Sequence, residues 1–324
     1  MKRPTAVLMA GLAAALAAAP ASAQSERILD TAFAVRGGTR FELRSFAGEA
    51  EIRGTRRQEM RIRAEHDRGR IEIDVSASVV QVRPVSRYGV HSVGFVIEVP
   101  VGTPITVSAV TGDVSVTGVC GEADVRTAAG EITLDCGREN VTLESAAGDV
   151  TASDVTGRIE ATSWSGDVLI ENSRGTVVAR SASGSIQLDG VEGDDLDAQT
   201  VSGEVEFRGP IRDNGRYRFQ THSGDVTVEP TNRNLNATVS VNTFSGDLES
   251  DFPVRLAPGG RLHSREFEFT IGNGSARLGL SSFSGTIYLR QAGAAGRSGG
   301  DRPDRDRPSE SARSRDPKSL EIRL

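Results

Sequence analysis

The 324-residue chain carries 38 Lys and Arg against 44 Asp and Glu, a net charge of −6, and it is rich in Gly (36) but only 5% aromatic. Few rings argue against a globular core built on aromatic packing, and the acidic balance disfavours nucleic acid and anionic membrane surfaces as partners. Without residues 1–23 and the tail from Arg297, 28 basic and 38 acidic residues remain, a balance of −10, so the acidity belongs to the body of the chain.

The first segment reads as a secretory signal peptide: Lys2 and Arg3, an apolar run from Ala6 to Ala19, then Ala21-Ser22-Ala23 as a cleavage site. Its fourteen apolar residues fall short of the roughly 20 that span a bilayer. Cleavage would place the mature start at Gln24. No Cys follows the site, which argues against a lipid anchor, and no later segment is long and apolar enough to cross a membrane. The expected location is therefore outside the cytoplasm: periplasm, outer-membrane-associated or extracellular.

Residues 24–100 alternate apolar and polar positions without a clear period. Phe41, Leu43, Ser45, Gly48, Ala50 and Ile52 read as a first repeat unit. The rest of this stretch is expected to be the β-rich start of the repeat array, or a cap that shields its open edge.

Residues 101–291 are the repeat. Anchoring glycines stand at Gly112, Gly130, Gly148, Gly166 and Gly184, spaced eighteen apart, and continue at Gly203, Gly224, Gly246 and Gly285 with wider spacings of 19, 21, 22 and 39. The last gap leaves room for one irregular turn. Two residues after each Gly comes Val, Ile or Leu (Val114, Ile132, Val150, Val168, Ile186, Val205, Val226, Leu248, Ile287), and further apolar columns lie four after, five before and seven before it. Such period-two alternation means short strands with one buried face. Three before the Gly runs a column of small hydroxyls, Thr127, Ser145, Ser163, Ser181, Thr200, Thr221, Thr243 and Ser282, suited to bonding along the stack. The fold class read from this is all-β: a single-chain β-solenoid (β-helix) with rungs of about 18 residues, two short strands per rung and Gly at the corners. The Gly is read as meeting a backbone need, since tight corners often require φ > 0. The tail, 292–324, is rich in Arg, Asp, Ser, Gly and Pro and reads as disordered.

These pieces resemble the putative adhesin family of bacterial envelope proteins. The matching segments are Ile97-Glu98-Val99-Pro100-Val101-Gly102, the serial Ser-Gly-Asp-Val-like rungs, and the stretch from Ile271 to Leu289, over about residues 28 to 291. The resemblance implies a β-solenoid at the cell envelope and brings no catalytic residues with it.

Three features carry candidate chemistry. The residue after the Gly is often acidic. Asp113, Asp149, Asp167, Asp225 and Asp247 form a column that could ligate Ca²⁺ through oxygen, although the Gly-Gly-x-Gly-x-Asp nonapeptide is absent and Ser185 and Thr286 interrupt it. The competing reading is a turn carboxylate that caps backbone N–H groups. Two before the Gly, Phe46, Val110, Trp164, Val201, His222, Phe244 and Phe283 should face outward as a contact stripe, with Trp164, Phe244 and Phe283 the strongest binding candidates. Cys120 and Cys136, sixteen residues apart, sit about one repeat apart and could bridge adjacent rungs in an oxidising compartment, or remain two buried thiols.

No catalytic motif or metal-ligand spacing is found, and no cofactor is expected. The acidic run Asp194, Asp195, Asp197 reads as a solvated loop, with no basic or aromatic residues converging on it in sequence. The chain is therefore read as non-enzymatic: an adhesin-like binding or structural protein that contacts protein or glycan at the envelope, with self-association through a solenoid end compatible with that reading. The alternatives are a polysaccharide lyase or hydrolase on a β-helix, or a periplasmic accessory factor in envelope stress signalling.

Overall fold

The computed structural model describes residues 27–66, 70–85, 92–253, 255–256, 266–291 and 320–322. The expected signal peptide and most of the tail lie outside the described residues. Every regular element among the described residues is a β-strand, and all of them join one continuous sheet wound into a solenoid.

The N-terminal strands are β1 (Arg27–Ala34), β2 (Arg40–Ala47), β3 (Ala50–Thr55), β4 (Glu59–His66), β5 (Arg70–Val75), β6 (Val79–Val85) and β7 (Val93–Pro100). The regular body follows as β8 (Ile105–Thr111), β9 (Val114–Thr117), β10 (Ala123–Ala129), β11 (Ile132–Ser145), β12 (Val150–Ser163), β13 (Val168–Glu171), β14 (Arg174–Ser181), β15 (Ile186–Asp189), β16 (Glu192–Ser202), β17 (Val205–Gly209), β18 (Ile211–Ser223) and β19 (Val226–Pro230). The C-terminal strands are β20 (Ala237–Ser245), β21 (Leu248–Ser250), β22 (Arg255–Leu256), β23 (Glu266–Ile271), β24 (Ala276–Ser284), β25 (Ile287–Leu289) and β26 (Leu320–Ile322).

In the body each rung pairs in parallel with the next, in register. Val141, Leu143 and Ser145 stand opposite Ile159, Ala161 and Ser163, which stand opposite Val177, Ala179 and Ser181. The apolar columns therefore stack into one core. Val150, Ile159, Val168, Val177, Ile186 and Leu196 are all essentially inaccessible. A fully buried aliphatic side chain contributes about 1.5–3 kcal/mol, and no rung can gain this alone.

The anchoring glycines form an unbroken ladder whose main cause is stacking. A Cβ on Gly166 would lie 2.2 Å from the Gly148 carbonyl oxygen, and one on Gly184 would lie 2.1 Å from that of Gly166. Several rungs do have left-handed φ there (Gly112 +118°, Gly130 +151°, Gly148 +145°), but Gly166, Gly184, Gly203 and Gly246 do not. The expected conformational reason holds for only part of the column. The close approach of successive backbones holds for all of it. The hydroxyl column closes the same corner. Ser145 donates to the Gly130 carbonyl at 3.0 Å, Ser163 to Gly148 at 2.9 Å, Ser181 to Gly166 at 3.0 Å and Thr200 to Gly184 at 2.8 Å.

A second corner lies six residues after each Gly from Gly112 to Gly184, at Gly118, Cys136, Asp154, Asn172 and Gly190, where φ runs from +47° to +72°. Gly, Asn and Asp tolerate this left-handed region best. Cys136 occupies the same column and is joined to Cys120 on the neighbouring rung, with S–S 2.00 Å and Cα–Cα 4.7 Å.

At the two ends, order in sequence and order in space part company. Rung β2/β3 lies between β8/β9 on one side and β6/β7 on the other. Rung β24/β25 is inserted between β18/β19 and β20/β21. The glycine ladder records the exchange, since a Cβ on Gly285 meets the Gly224 carbonyl at 2.0 Å, and one on Gly246 meets that of Gly285 at 2.0 Å. The long gap before Gly285 is thus not an irregular turn in series. It holds β22 and β23, and β23 pairs antiparallel on the outer side of β20. The N-terminal stretch turns out to be both rung and cap: β2/β3 stacks in the solenoid, while β4, β1 and β5 add antiparallel strands outside β7 and β6. Within the tail expected to be disordered, Leu320–Ile322 form β26, antiparallel on β21.

Candidate functional site

The outward column two before each Gly is carried by the corner itself, where the chain turns from one wall to the next. In spatial order it reads Phe46, Val110, Ala128, Ala146, Trp164, Ala182, Val201, His222, Phe283, Phe244, because the rung exchange sets Phe283 between His222 and Phe244. Phe46, Val110, Trp164, Val201, Phe244 and Phe283 are all large apolar side chains exposed to solvent. The three candidates separate into two surroundings. Trp164 is 62% exposed and has only alanines, Ala146 and Ala182, beside it in its column. Phe283 lies between two rings, 4.6 Å from His222 and 4.7 Å from Phe244, with interplanar angles of 13° and 5°. Both faces of Phe283 are therefore covered, and it presents its ring edge to solvent. A shallow groove of about 350 Å³ runs beside it, with Gln199, Gln220, Ser281 and Asn242 along its polar side.

The acidic column is part of the turn. Asp113 accepts the N–H of Glu131 at 2.9 Å, Asp149 that of Asp167 at 2.9 Å, Asp167 that of Ser185 at 2.8 Å and Asp225 that of Thr286 at 2.7 Å. Ser185 keeps the pattern with its hydroxyl, which accepts the N–H of Glu204 at 3.2 Å. Each carboxylate thus ties its corner to the next rung, and the Asp225 bond follows the exchanged order. Among the described residues no group of three or more His, Cys, Asp and Glu is placed to hold a metal ion.

At the widened turn the fold brings together what the sequence keeps apart. Asp194 pairs with Arg212 at 3.5 Å, Asp197 with Arg218 at 3.4 Å, and Glu192 is bonded to both Arg212 and Arg174. Basic residues therefore do converge on the acidic run, from the two neighbouring rungs. The hydrogen bond from Arg212, aided by that from Arg174, holds Glu192 below the ordinary carboxylate range, so it stays ionised and is a poor proton donor. Beneath this network the buried Tyr217 hydroxyl donates to the Gly193 carbonyl and accepts the N–H of Arg212, both at 2.7 Å, and burial pushes its pKa up. The array reads as an ion-paired brace across three rungs. Sequence spacing could not show it, because Arg174 and Arg212 lie 18 and 20 residues from Glu192.

A family model, Toastrack DUF4097, matches residues 43–290. The chain belongs to this family. The match spans the Toastrack rungs from β2 through β25. Three solved structures are similar to this chain, each match covering 82% of it. They are a putative cell adhesion protein from Clostridium sporogenes ATCC 15579 (10% identity, 99% of that chain, TM-score 0.25), a putative adhesin from Bacteroides fragilis NCTC 9343 (11%, 99%, 0.39) and a putative adhesin from Parabacteroides distasonis ATCC 8503 (8%, 98%, 0.30). No curated protein matches the sequence. Among the described residues no helix is long and apolar enough to cross a membrane.

Proposed function

We propose that this Toastrack protein is an exported, non-enzymatic envelope protein that binds protein or glycan through its corner stripe. The observation that carries the reading is the stripe itself: six large apolar side chains held in solvent on a rigid stack, from Phe46 at one end to Phe244 at the other. Exposed apolar surface of this extent is characteristic of contact sites. The signal-peptide pattern at residues 1–23 supports export. The acidic run at the widened turn, the best remaining place for acid–base chemistry, is occupied by ion pairs.

A binding screen against envelope polysaccharides and envelope extracts, with Trp164→Ala and Phe244→Ala/Phe283→Ala beside the parent, tests the reading. Retention of a ligand that is weakened at least tenfold by one of these variants, without turnover, is the expected result. Turnover of a polysaccharide that Asp195→Asn abolishes would overturn it.

A further inference from the structure

We infer a second binding site, for an acidic sugar unit, in a groove on the outer wall at the C-terminal end of the solenoid. It rests on different residues from the corner stripe and stands or falls apart from it. The groove holds about 580 Å³, within the range of small-ligand sites, and opens between the outward faces of β18, β24, β20 and β23.

Its floor and its charge both come from the rung exchange. Inserting β24 beside β18 sets Arg277 opposite Arg216 in register. This is the one place among the described pairings where two arginines stand face to face, and like charges directly opposite are unfavourable. Other wall arginines meet carboxylates instead: Arg126 pairs with Glu144 at 3.3 Å, Arg174 with Glu192 at 2.9 Å and Arg208 with Glu229 at 3.1 Å, each across one rung. Among the described residues neither Arg216 nor Arg277 forms an ion pair, although Asp195 stands opposite Arg216 on its other side. In a body this acidic, two facing arginines that form no ion pair are a departure with a direction: they favour an anion.

The shape of the groove comes from Gly279. In the next outward column Gly279 stands between Arg218 and Ser240. A Cβ there would meet nothing nearer than the Tyr217 carbonyl at 3.8 Å, so no backbone contact calls for glycine. The missing side chain leaves a slot beside the two guanidiniums, which can take a planar carboxylate in bidentate fashion. The hydroxyl of Ser240 lines the same slot and suits the hydroxyls of a sugar ring. Glu268 closes the far end of the column and would repel a second anion, which places the carboxylate at the Arg216–Arg277 end.

The test is calorimetric titration of the purified full chain at low salt with oligogalacturonate, with a neutral oligosaccharide of equal length, and with inorganic phosphate. Oligogalacturonate should bind, the neutral oligomer should not, and phosphate should bind at least tenfold more weakly. Arg216→Gln and Arg277→Gln should each weaken the acidic oligomer about tenfold, as expected for losing a charge-assisted bond. Gly279→Gln should weaken it similarly by filling the slot without altering charge, and Arg126→Gln should leave it unchanged. Equal binding of the neutral oligomer, or an affinity untouched by both the arginine variants and Gly279→Gln, would overturn the site. Phosphate binding as tightly as the oligomer would overturn its assignment to a sugar.

Discussion

The middle of the solenoid and its two ends obey different stacking rules. From β10 to β19 each rung lies on the rung that precedes it in sequence. At both ends the order is exchanged, with β2/β3 enclosed by β6/β7 and β24/β25 enclosed by β20/β21. The glycine ladder runs unbroken through both regimes, so the contact that defines a rung is indifferent to chain order. What the ends need and the middle does not is closure. A bare terminal rung exposes a row of unpaired N–H and C=O groups that invite association. Antiparallel strands β4 and β5 cover the outer rung at one end, β23 and β26 at the other. At the C-terminal end the closing strand β23 lies in sequence between the two exchanged rungs. The chain passes outward to lay it down and then returns to fill the inner rung.

If stacking rather than corner conformation is the common rule, Gly166→Ala and Gly285→Ala should be the most damaging single changes, each costing at least about 3 kcal/mol. Gly166 has no left-handed φ, so its cost would be steric alone. Gly118→Ala is the counter-case. Its φ is +66° with open space around the Cβ, and it should cost only roughly 1–2 kcal/mol of strain. Urea unfolding of the three variants decides the matter, and equal losses would return the column to a conformational explanation.

The Cys120–Cys136 bridge sharpens the same contrast, because it ties two rungs where the regular body begins. Closing sixteen residues should contribute about 2–3 kcal/mol. A thermal scan of Cys120→Ser/Cys136→Ser should show that loss, and the parent plus reductant should match it. A parent that alkylates at both thiols without denaturation would show no bridge in the protein as isolated.

The body was legible in sequence because its evidence is periodic. Val114, Ile132, Val150, Val168 and Ile186 recur at eighteen residues and become one core column. The second corner was legible and missed: Gly118, Cys136, Asp154, Asn172 and Gly190 share the same period, and most are residue types that tolerate a left-handed turn. The ends were not legible in the same way. The spacing of 39 before Gly285 says that something intervenes, but not that Phe283 will be laid between His222 and Phe244 or that Arg277 will face Arg216. Stacking order is a tertiary choice that period cannot encode. The site residues most altered by the fold are those that the exchange brings together.

The brace at the widened turn marks the boundary between the two regimes, and Tyr217→Phe probes it. Removing the hydroxyl leaves the Gly193 carbonyl and the Arg212 N–H without their partner, at a cost of about 1–2 kcal/mol. The loss should appear in urea unfolding with the body's circular dichroism unchanged. A variant as stable as the parent would show that the ion pairs above it suffice.

The smallest expected effect separates the two readings of the acidic column. If Asp167 serves the turn, Asp167→Ala should cost about 1 kcal/mol, the value of a bond to a backbone N–H. Asp167→Ser should recover much of it, because Ser185 already makes the equivalent bond toward Glu204 one rung on. Calcium should leave the unfolding midpoint of the parent in place. If the column instead holds calcium, the order reverses. Serine would be nearly as damaging as alanine, since a single hydroxyl replaces a charged oxygen ligand poorly, and the midpoint of the parent would rise with added calcium by an amount set by occupancy. The turn reading requires both the serine rescue and the calcium indifference, and the exchanged end offers a check on each. Asp225 reaches Thr286 across sixty-one residues of sequence but one rung of space, so Asp225→Ser should be rescued as Asp167→Ser is. Rescue in the body without rescue at the exchanged rung would mean that the turn bond, unlike the glycine ladder, does depend on chain order.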